Sequence, residues 1–183
     1  VDMTGTAAQK EAMIAPLIEG QMLLAFGYSE PQSRFDLFDV VATATASGDG
    51  YVLNGHKSVV YHAASADRII VTARTSGGQR DKAGISLFVV DASAAGVSLK
   101  SYRTLDGQRA SEVTLENVEV GSEAVLGTIG EAFPIVEKVI DLAIGAASAE
   151  AVGAMRKVNQ ITLEYVKTRE QFGSPIGTNQ VIK

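Results

Sequence analysis

The stretch that decides the fold is Tyr165-Val166-Lys167-Thr168-Arg169-Glu170-Gln171-Phe172-Gly173-Ser174-Pro175-Ile176. Ile161 to Tyr165 is one helical step, and Gly173 and Pro175 are stop signals just past the last turn. A long helix therefore ends here and leaves a cation, Arg169, and a ring, Phe172, at its exit. Two readings are open at this point. In one, Arg169 caps the last carbonyls at the negative pole of the helix while Phe172 packs into a core. In the other the pair serves a ligand, a reading that needs the rest of the chain.

Upstream, residues from about Glu131 to Thr168 are rich in alanine, and Pro134 suits a first turn, so one long helix is expected. Ile140, Ile144, Ala147, Ala151, Ala154 and Val158 fall on one side of it and are small enough for close helix contact. Downstream, Thr178 to Lys183 reads as the start of a further helix. Between Met22 and Val120 the pattern is of strands. An apolar run, Met22 to Phe26, enters the polar loop Tyr28 to Asp36, where Pro31 forbids regular helix and Ser29, Ser33 and Asp36 favour turns. Val40 to Ala46 alternates, Gly48-Asp49-Gly50 turns, Tyr51 to Leu53 resumes, and Asn54-Gly55 reads as a hairpin turn returning through Lys57 to Tyr61. Arg68 to Thr75, Gly84 to Asp91, Val97 to Ser101 and Glu112 to Val120 complete an antiparallel sandwich or barrel. Lys57 and Arg68 are expected to be solvated strand-end charges. At the N-terminus Thr6 and Gln9 form a capping-box pattern for a helix from about Ala7 to Glu19, ended by Gly20. Its stripe of Met13, Ile14, Leu17 and Ile18 needs an opposing surface, so the chain is expected to begin partway through a larger protein. The expected class is α+β: residues 1–20 from a helical domain, a β domain over 21–127, and the start of a helical bundle over 128–183.

Composition excludes several functions. The 183 residues carry 16 Lys and Arg against 21 Asp and Glu, a net charge of −5, which argues against a nucleic-acid footprint. The absence of cysteine rules out a thiolate nucleophile, a disulfide framework and zinc-thiolate chemistry, and His56 and His62 alone do not make a metal site. No apolar run approaches the roughly 20 residues that span a bilayer, and residues 1–20 lack the pattern of a signal peptide, so a cytoplasmic location is the expectation.

The order of elements and several motifs resemble the central part of flavin-dependent acyl-CoA dehydrogenases. The motifs are Ser29-Glu30-Pro31, Asn54-Gly55-His56-Lys57 followed by Ala66-Asp67, Gly107-Gln108-Arg109 leading to Glu116-Asn117-Val118, and Arg169-Glu170-Gln171-Phe172-Gly173 before Gln180. Each string is weak alone; in this order they cover nearly the whole chain. The resemblance implies a middle β domain flanked by pieces of two helical domains, FAD as cofactor, an acyl-CoA substrate and a role in fatty acid metabolism. It further implies electron-transfer flavoprotein as acceptor, and a homotetramer or heterotetramer.

Mapped onto this chain, the resemblance marks Phe26, Tyr28, Ser29, Phe35, Val59, Val60 and Tyr61 as flavin-facing. A flavin needs a flat apolar slot and donors aimed at its polar edge. It marks Arg169, Gln171 and Phe172 as reaching the pyrophosphate and adenosine of FAD held by a neighbouring subunit, where a guanidinium forks onto phosphate. Asp141 lies where the family contacts CoA. Three departures stand out: Phe35 replaces a usual serine, Val59-Val60-Tyr61-His62 replaces a Trp-Ile-Thr-Asn pattern, and Ile144 replaces an arginine. For Phe35 a core position, and for Val59 to Tyr61 ordinary strand alternation, are the alternatives; for Asp141 it is an exposed helix carboxylate. His62 reads as a loop donor. The family's glutamate base aligns beyond Lys183 or, in a minority arrangement, near Ala143, so no catalytic residue is named. A partner subunit without cofactor, and a flavin oxidase or monooxygenase on the same scaffold, are competing functions.

Overall fold

The computed structural model describes residues 1–182. Its chain divides into two compact units, Val1–Glu137 and the residues from Lys138 onward.

The first unit opens with the expected capping box. Thr6 Oγ1 accepts from Gln9 N at 3.2 Å and Gln9 Oε1 accepts from Thr6 N at 2.9 Å, starting helix α1 (Ala7–Ile18). Gly20, at φ 70°, supplies the left-handed residue that ends it. The opposing surface for α1 is the β domain itself. Met13 is buried, and Gln9 Nε2 donates to Glu123 O at 2.9 Å and Val125 O at 2.8 Å.

Seven strands follow in one sheet: β1 (Leu24–Gly27), β2 (Thr43–Ser47), β3 (Gly50–Tyr61), β4 (Arg68–Arg74), β5 (Ile85–Asp91), β6 (Val97–Arg103) and β7 (Arg109–Val120). Hydrogen bonding runs β1-β4-β2-β3-β7-β6, with β5 on the other edge of β4. The sheet is mostly antiparallel, with two departures from expectation: β1 pairs with β4 in parallel, Leu24 opposite Arg68 through Gly27 opposite Val71, and β2 meets the end of β4 in parallel at Thr43 opposite Arg74. Local alternation predicts strands but not which distant strand each will meet. Leu53, Val60, Ile69, Val71, Phe88, Val90, Val113 and Val118 form the core. Tyr51 meets Phe88 edge-on with ring centroids 5.1 Å apart, and trimming a buried ring such as Phe88 to alanine costs about 3–5 kcal/mol.

Asn54-Gly55 is not a turn, correcting the hairpin reading. β3 runs unbroken from Gly50 to Tyr61, and its return turn is Gly48-Asp49 between β2 and β3. Gly55 is required for a different reason, because a Cβ there would stand 2.4 Å from Ala42 Cβ and 2.6 Å from its Cα. Asn54 Oδ1 accepts from Asn117 N at 2.8 Å, holding a bulge in β7 where Asn117 takes φ 51°. Arg74 ends β4 buried, donating from Nε to Val40 O, from Nη1 to Ser76 O and Ala83 O, and from Nη2 to Phe38 O, Gln79 O and Asp81 O. One planar fork thereby fixes the loop before β2 to the loop between β4 and β5.

Helix α2 spans Phe133–Thr168 with Pro134 in its first turn, as expected. Beyond it β8 (Glu170–Gln171) and β9 (Ser174–Pro175) form a small hairpin, Glu170 opposite Pro175. Residues Ile176–Thr178 and Gln180–Ile182 are 3-10 turns where an α-helix was expected, with Lys183 outside the described residues. The Thr178 hydroxyl donates back to Pro175 O at 2.7 Å and Asn179 N to Ile176 O at 3.2 Å, so the segment closes on itself in short i→i+3 turns. Among the described residues no helix is long and apolar enough to cross a membrane, and no cluster of His, Cys, Asp or Glu has the arrangement to hold a metal ion.

Candidate cofactor site

The loop after β1 and the C-terminal end of β3 lie side by side. Ser58 N donates to Ser29 O at 2.9 Å, so the turn carrying Tyr28 and Ser29 is stitched to the strand that carries Val59, Val60 and Tyr61. In β1 Ala25 and Gly27 are buried, whereas Phe26 lies on the opposite, partly exposed face; its ring sits 5.2 Å from that of Tyr28 at an interplanar angle of 39°. Tyr28 and Ser29 are likewise half-buried. These groups supply an apolar aromatic surface beside two hydroxyls.

Across the stitch, β3 breaks regular alternation. Between Lys57 and Val60 it carries one more residue than β7 does between Ser111 and Val113, and Val59 absorbs the extra length at φ 53°. A β-branched residue in that region is a genuine conformational outlier, and such strain persists only where surrounding structure imposes it. The bulge turns Val59 and Tyr61 outward, 44% and 47% exposed, and drives Val60 into the core at 1%. This corrects two expectations: the segment is not a strand with ordinary alternation, and the Val60 side chain is unavailable to a cofactor, leaving only its main chain there. His62 follows at φ 59°, exposed, its ring 6.5 Å from that of Tyr61.

Phe35 sits within the second of two consecutive turns, Ser33 N to Glu30 O and Asp36 N to Ser33 O. At 96% exposed it is no core residue. Its neighbour Arg34 takes φ 49°, so the loop projects its side chains outward. Arg80 closes the far end, 2.6 Å from Asp36 Oδ2 and 2.5 Å from Asp39 Oδ2.

Beneath the loop is a group the sequence reading misplaced. Lys57 is wholly buried, 2.6 Å from Glu30 Oε1 and 2.8 Å from Thr72 Oγ1, and so is not a solvated charge. Glu30 Oε1 also accepts from Ala42 N at 3.1 Å, and Oε2 from Val41 N at 2.8 Å and Gln32 Nε2 at 2.8 Å. Burial alone would raise the Glu30 carboxyl, but the charge and hydrogen bond of Lys57, with the donors of Gln32 and Val41, hold it below the usual carboxylate value. For Lys57 burial wins, drawing the ammonium down to about 8 against the pull of Glu30. The pocket thus suits the anion better than the cation: Glu30 gains four donors, while the three N–H of Lys57 meet two acceptors. The signal lay in the strand period. Leu53 and Lys57 are four apart on one uninterrupted strand and share its inner face, a relation concealed by placing a turn at Asn54-Gly55.

Next to the bulge on the sheet surface, His56 lies 2.8 Å from Glu112 Oε2 and 3.0 Å from Thr114 Oγ1, and the Tyr102 hydroxyl donates to Glu112 Oε1 at 2.8 Å. Burial pushes Glu112 up, but the hydrogen bonds from Tyr102 and His56 prevail and hold it below the ordinary value.

In the second unit the end of α2 is capped by main chain and by a hydroxyl. Arg169 N donates to Tyr165 O at 2.8 Å and Thr168 Oγ1 to Glu164 O at 2.9 Å, so those final carbonyls are satisfied without the Arg169 guanidinium, which is exposed. Phe172 and Gly173 form the tip of the hairpin at φ 54° and 79°, and the Phe172 ring is fully exposed, not packed into a core. Gln171 is exposed, its amide donating to Glu170 O at 2.8 Å. Asp141 is an exposed carboxylate on α2, one turn from exposed Ile144.

Residues 25–118 match the family described as acyl-CoA dehydrogenase, middle domain. The chain is 34% identical over 184 residues to the 3-(aryl)acrylate reductase of Clostridium sporogenes, covering 99% of this chain and 48% of that protein. It superposes on butyryl-CoA dehydrogenase from Megasphaera elsdenii with a TM-score of 0.91 at 32% identity, covering 98% of this chain and 48% of that one. On the FAD complex of PigA the TM-score is 0.90 at 27% identity, covering 98% and 47%. The chain therefore spans about half the length of the curated relatives it matches.

Proposed function

The chain belongs to the acyl-CoA dehydrogenase family, and we propose that it supplies the flavin-facing middle domain and first C-terminal helix of an FAD-dependent oxidoreductase that introduces an α,β double bond into an acyl-CoA thioester. The observation that carries this reading is the left-handed bulge at Val59. It exposes Val59 and Tyr61 on the strand that is stitched to the half-buried Phe26, Tyr28 and Ser29. Bound FAD would supply a hydride acceptor for the β-hydrogen of the acyl chain.

The residues present suit such a group. Val59, Phe26 and the rings of Tyr28 and Tyr61 offer the apolar surface a flat heterocycle packs on, and the hydroxyls of Ser29, Tyr28 and Tyr61 offer donors to its polar edge. Arg169 offers the charge a pyrophosphate requires, with Gln171 and Phe172 beside it for the nucleotide end of FAD held by a second copy. Asp141 is assigned to the CoA portion. Leu142, Ile144, Met155, Val158, Ile161 and Leu163 are exposed along α2, which supports its being one helix of a larger bundle in a tetramer. Electron-transfer flavoprotein is the proposed acceptor. No residue of this chain is assigned as the base that removes the α-proton.

The test is acyl-CoA-dependent bleaching of the visible flavin absorbance of the full-length protein under anaerobic conditions. Bleaching that recovers on adding an electron acceptor supports the proposal. A purified protein that binds no flavin would instead identify a partner subunit without cofactor, the role for which an exposed phenylalanine at position 35 is better suited than a hydroxyl.

A further inference from the structure

We infer that the buried Glu30–Lys57 pair is a positioning device, which sets the register between the Tyr28–Ser29 turn and the Val59 bulge and so shapes the cofactor face, and is not a stabiliser of the β core. The inference rests on the flavin reading above.

The two segments are cross-linked at adjacent residues. Main chain joins Ser29 to Ser58 at 2.9 Å, and side chains join Glu30 to Lys57 at 2.6 Å. The Glu30 carboxylate is also where three parts of the fold converge: β3 through Lys57, the segment before β2 through Val41 N and Ala42 N, and its own turn through Gln32. Four directional bonds fix the placement of Glu30, and with it Ser29 and Tyr28, far more narrowly than apolar packing would. On the other side Thr72 Oγ1 holds Lys57 Nζ at 2.8 Å, so the ammonium is anchored to β4, and Val59 leaves the strand two residues later in its left-handed conformation.

Energy separates the two roles. Removing two charges from water costs about as much as their attraction returns, so an apolar replacement of similar volume is commonly neutral or stabilising. Two methyl-rich side chains would leave Val41 N and Ala42 N without their acceptor, and they would not specify which residue of the turn lies against which residue of β3. Setting register is the best-attested use of such a pair. The charges also sit only one and two residues from the proposed cofactor-facing groups, where a register error would alter the site most.

The experiment compares the full-length wild-type protein with its Glu30→Gln/Lys57→Met and Gln32→Ala variants. For each, FAD affinity is measured by titrating the apoprotein, the visible flavin spectrum is recorded, and the urea midpoint of the apoprotein is determined. The double variant, which removes both charges together and keeps one amide oxygen for the main-chain donors, is expected to bind FAD about tenfold more weakly with a shifted visible spectrum, and to lose far less of the urea midpoint than Lys57→Ala, which strands one charge. Gln32→Ala leaves both charges and removes one donor from the carboxylate. It should weaken FAD about threefold, without loss of stability because Gln32 is exposed. FAD affinity and spectrum unchanged in both variants would overturn the inference, as would a double variant that fails to fold while Gln32→Ala binds FAD normally. A wild-type protein that binds no FAD would overturn the flavin reading itself, a distinguishable result.

Discussion

Of the five non-glycine residues that take positive φ among the described residues, Val59 and Phe172 are held in opposite ways. Val59, at φ 53°, sits in a long strand above a buried ion pair, with the main chain of Ser58 bonded to the neighbouring turn. Phe172, at φ 54°, sits at the tip of a hairpin with two residues in each strand, its ring and the nearby Arg169 exposed. Around Val59 charge is neutralised inside the fold, so that region behaves as scaffold. Around Phe172 the guanidinium of Arg169 is exposed and makes no hydrogen bond to the helix end among the described residues, so its charge remains available to something else. The contrast suggests that changes under the bulge will appear as lost stability or distorted binding, whereas changes in the hairpin will appear as lost binding alone.

The largest effect is expected from Lys57→Ala. Removing one member of a buried pair leaves the Glu30 carboxylate uncompensated, and the loss should be about 3–5 kcal/mol, read as a lower urea midpoint for the full-length protein. A change below ~1 kcal/mol would mean that the carboxylate protonates or reaches water without cost, and the scaffold half of the comparison would fail.

Arg169→Ala comes next. A charge-assisted phosphate contact is worth about 1.5–3 kcal/mol, so FAD should bind roughly tenfold to a hundredfold more weakly. The melting temperature of the apoprotein should not move, because Tyr165 O is met by main chain and the Thr168 hydroxyl, and the exposed guanidinium makes no hydrogen bond to the helix end among the described residues. Equal FAD affinity with a destabilised apoprotein would return Arg169 to a structural role.

The smallest effect is on pH dependence at the sheet surface beside the bulge. Glu112 is held below its ordinary value of about 4.5, so the native state binds fewer protons than the unfolded chain as pH falls past that value. Its contribution to stability is present above about pH 4.5 and is lost as pH drops through the folded-state value. Glu112→Gln should therefore lose less stability than the parent between neutral and acid pH, in urea melts at matched pH. Parallel stability curves would show that the His56–Glu112–Tyr102 cluster is energetically silent.

What could be read from sequence was what is local. The Thr6–Gln9 capping box, the Gly48-Asp49 turn, the start of α2 near Pro134 and its stop before Gly173 each depend on residues within a few positions. What could not be read was set by distant partners. Lys57 finds its carboxylate 27 residues away, β1 finds a parallel neighbour past two intervening strands, and Gly55 is required by the approach of Ala42 rather than by a turn. Asn54-Gly55 is the instructive case, because a strong local turn signal was overridden by a long-range packing requirement, and that single misreading concealed the inward face of Lys57. Of the candidate site, Tyr61, Val59 and Arg169 stand exposed as a ligand would need. Val60 does not, because one extra residue in β3 reverses the alternation from which its orientation would be inferred.

The most direct test of the cofactor face uses the absence of tryptophan from this sequence. Tyr61→Trp places an indole where Tyr61 is exposed beside the bulge, and the emission added by that indole is obtained by difference from the wild-type protein during FAD titration of the apoprotein. If the flavin packs on this face, the added emission falls towards zero and saturates together with flavin binding. Added emission that persists at saturating FAD would put the cofactor elsewhere and contradict the account.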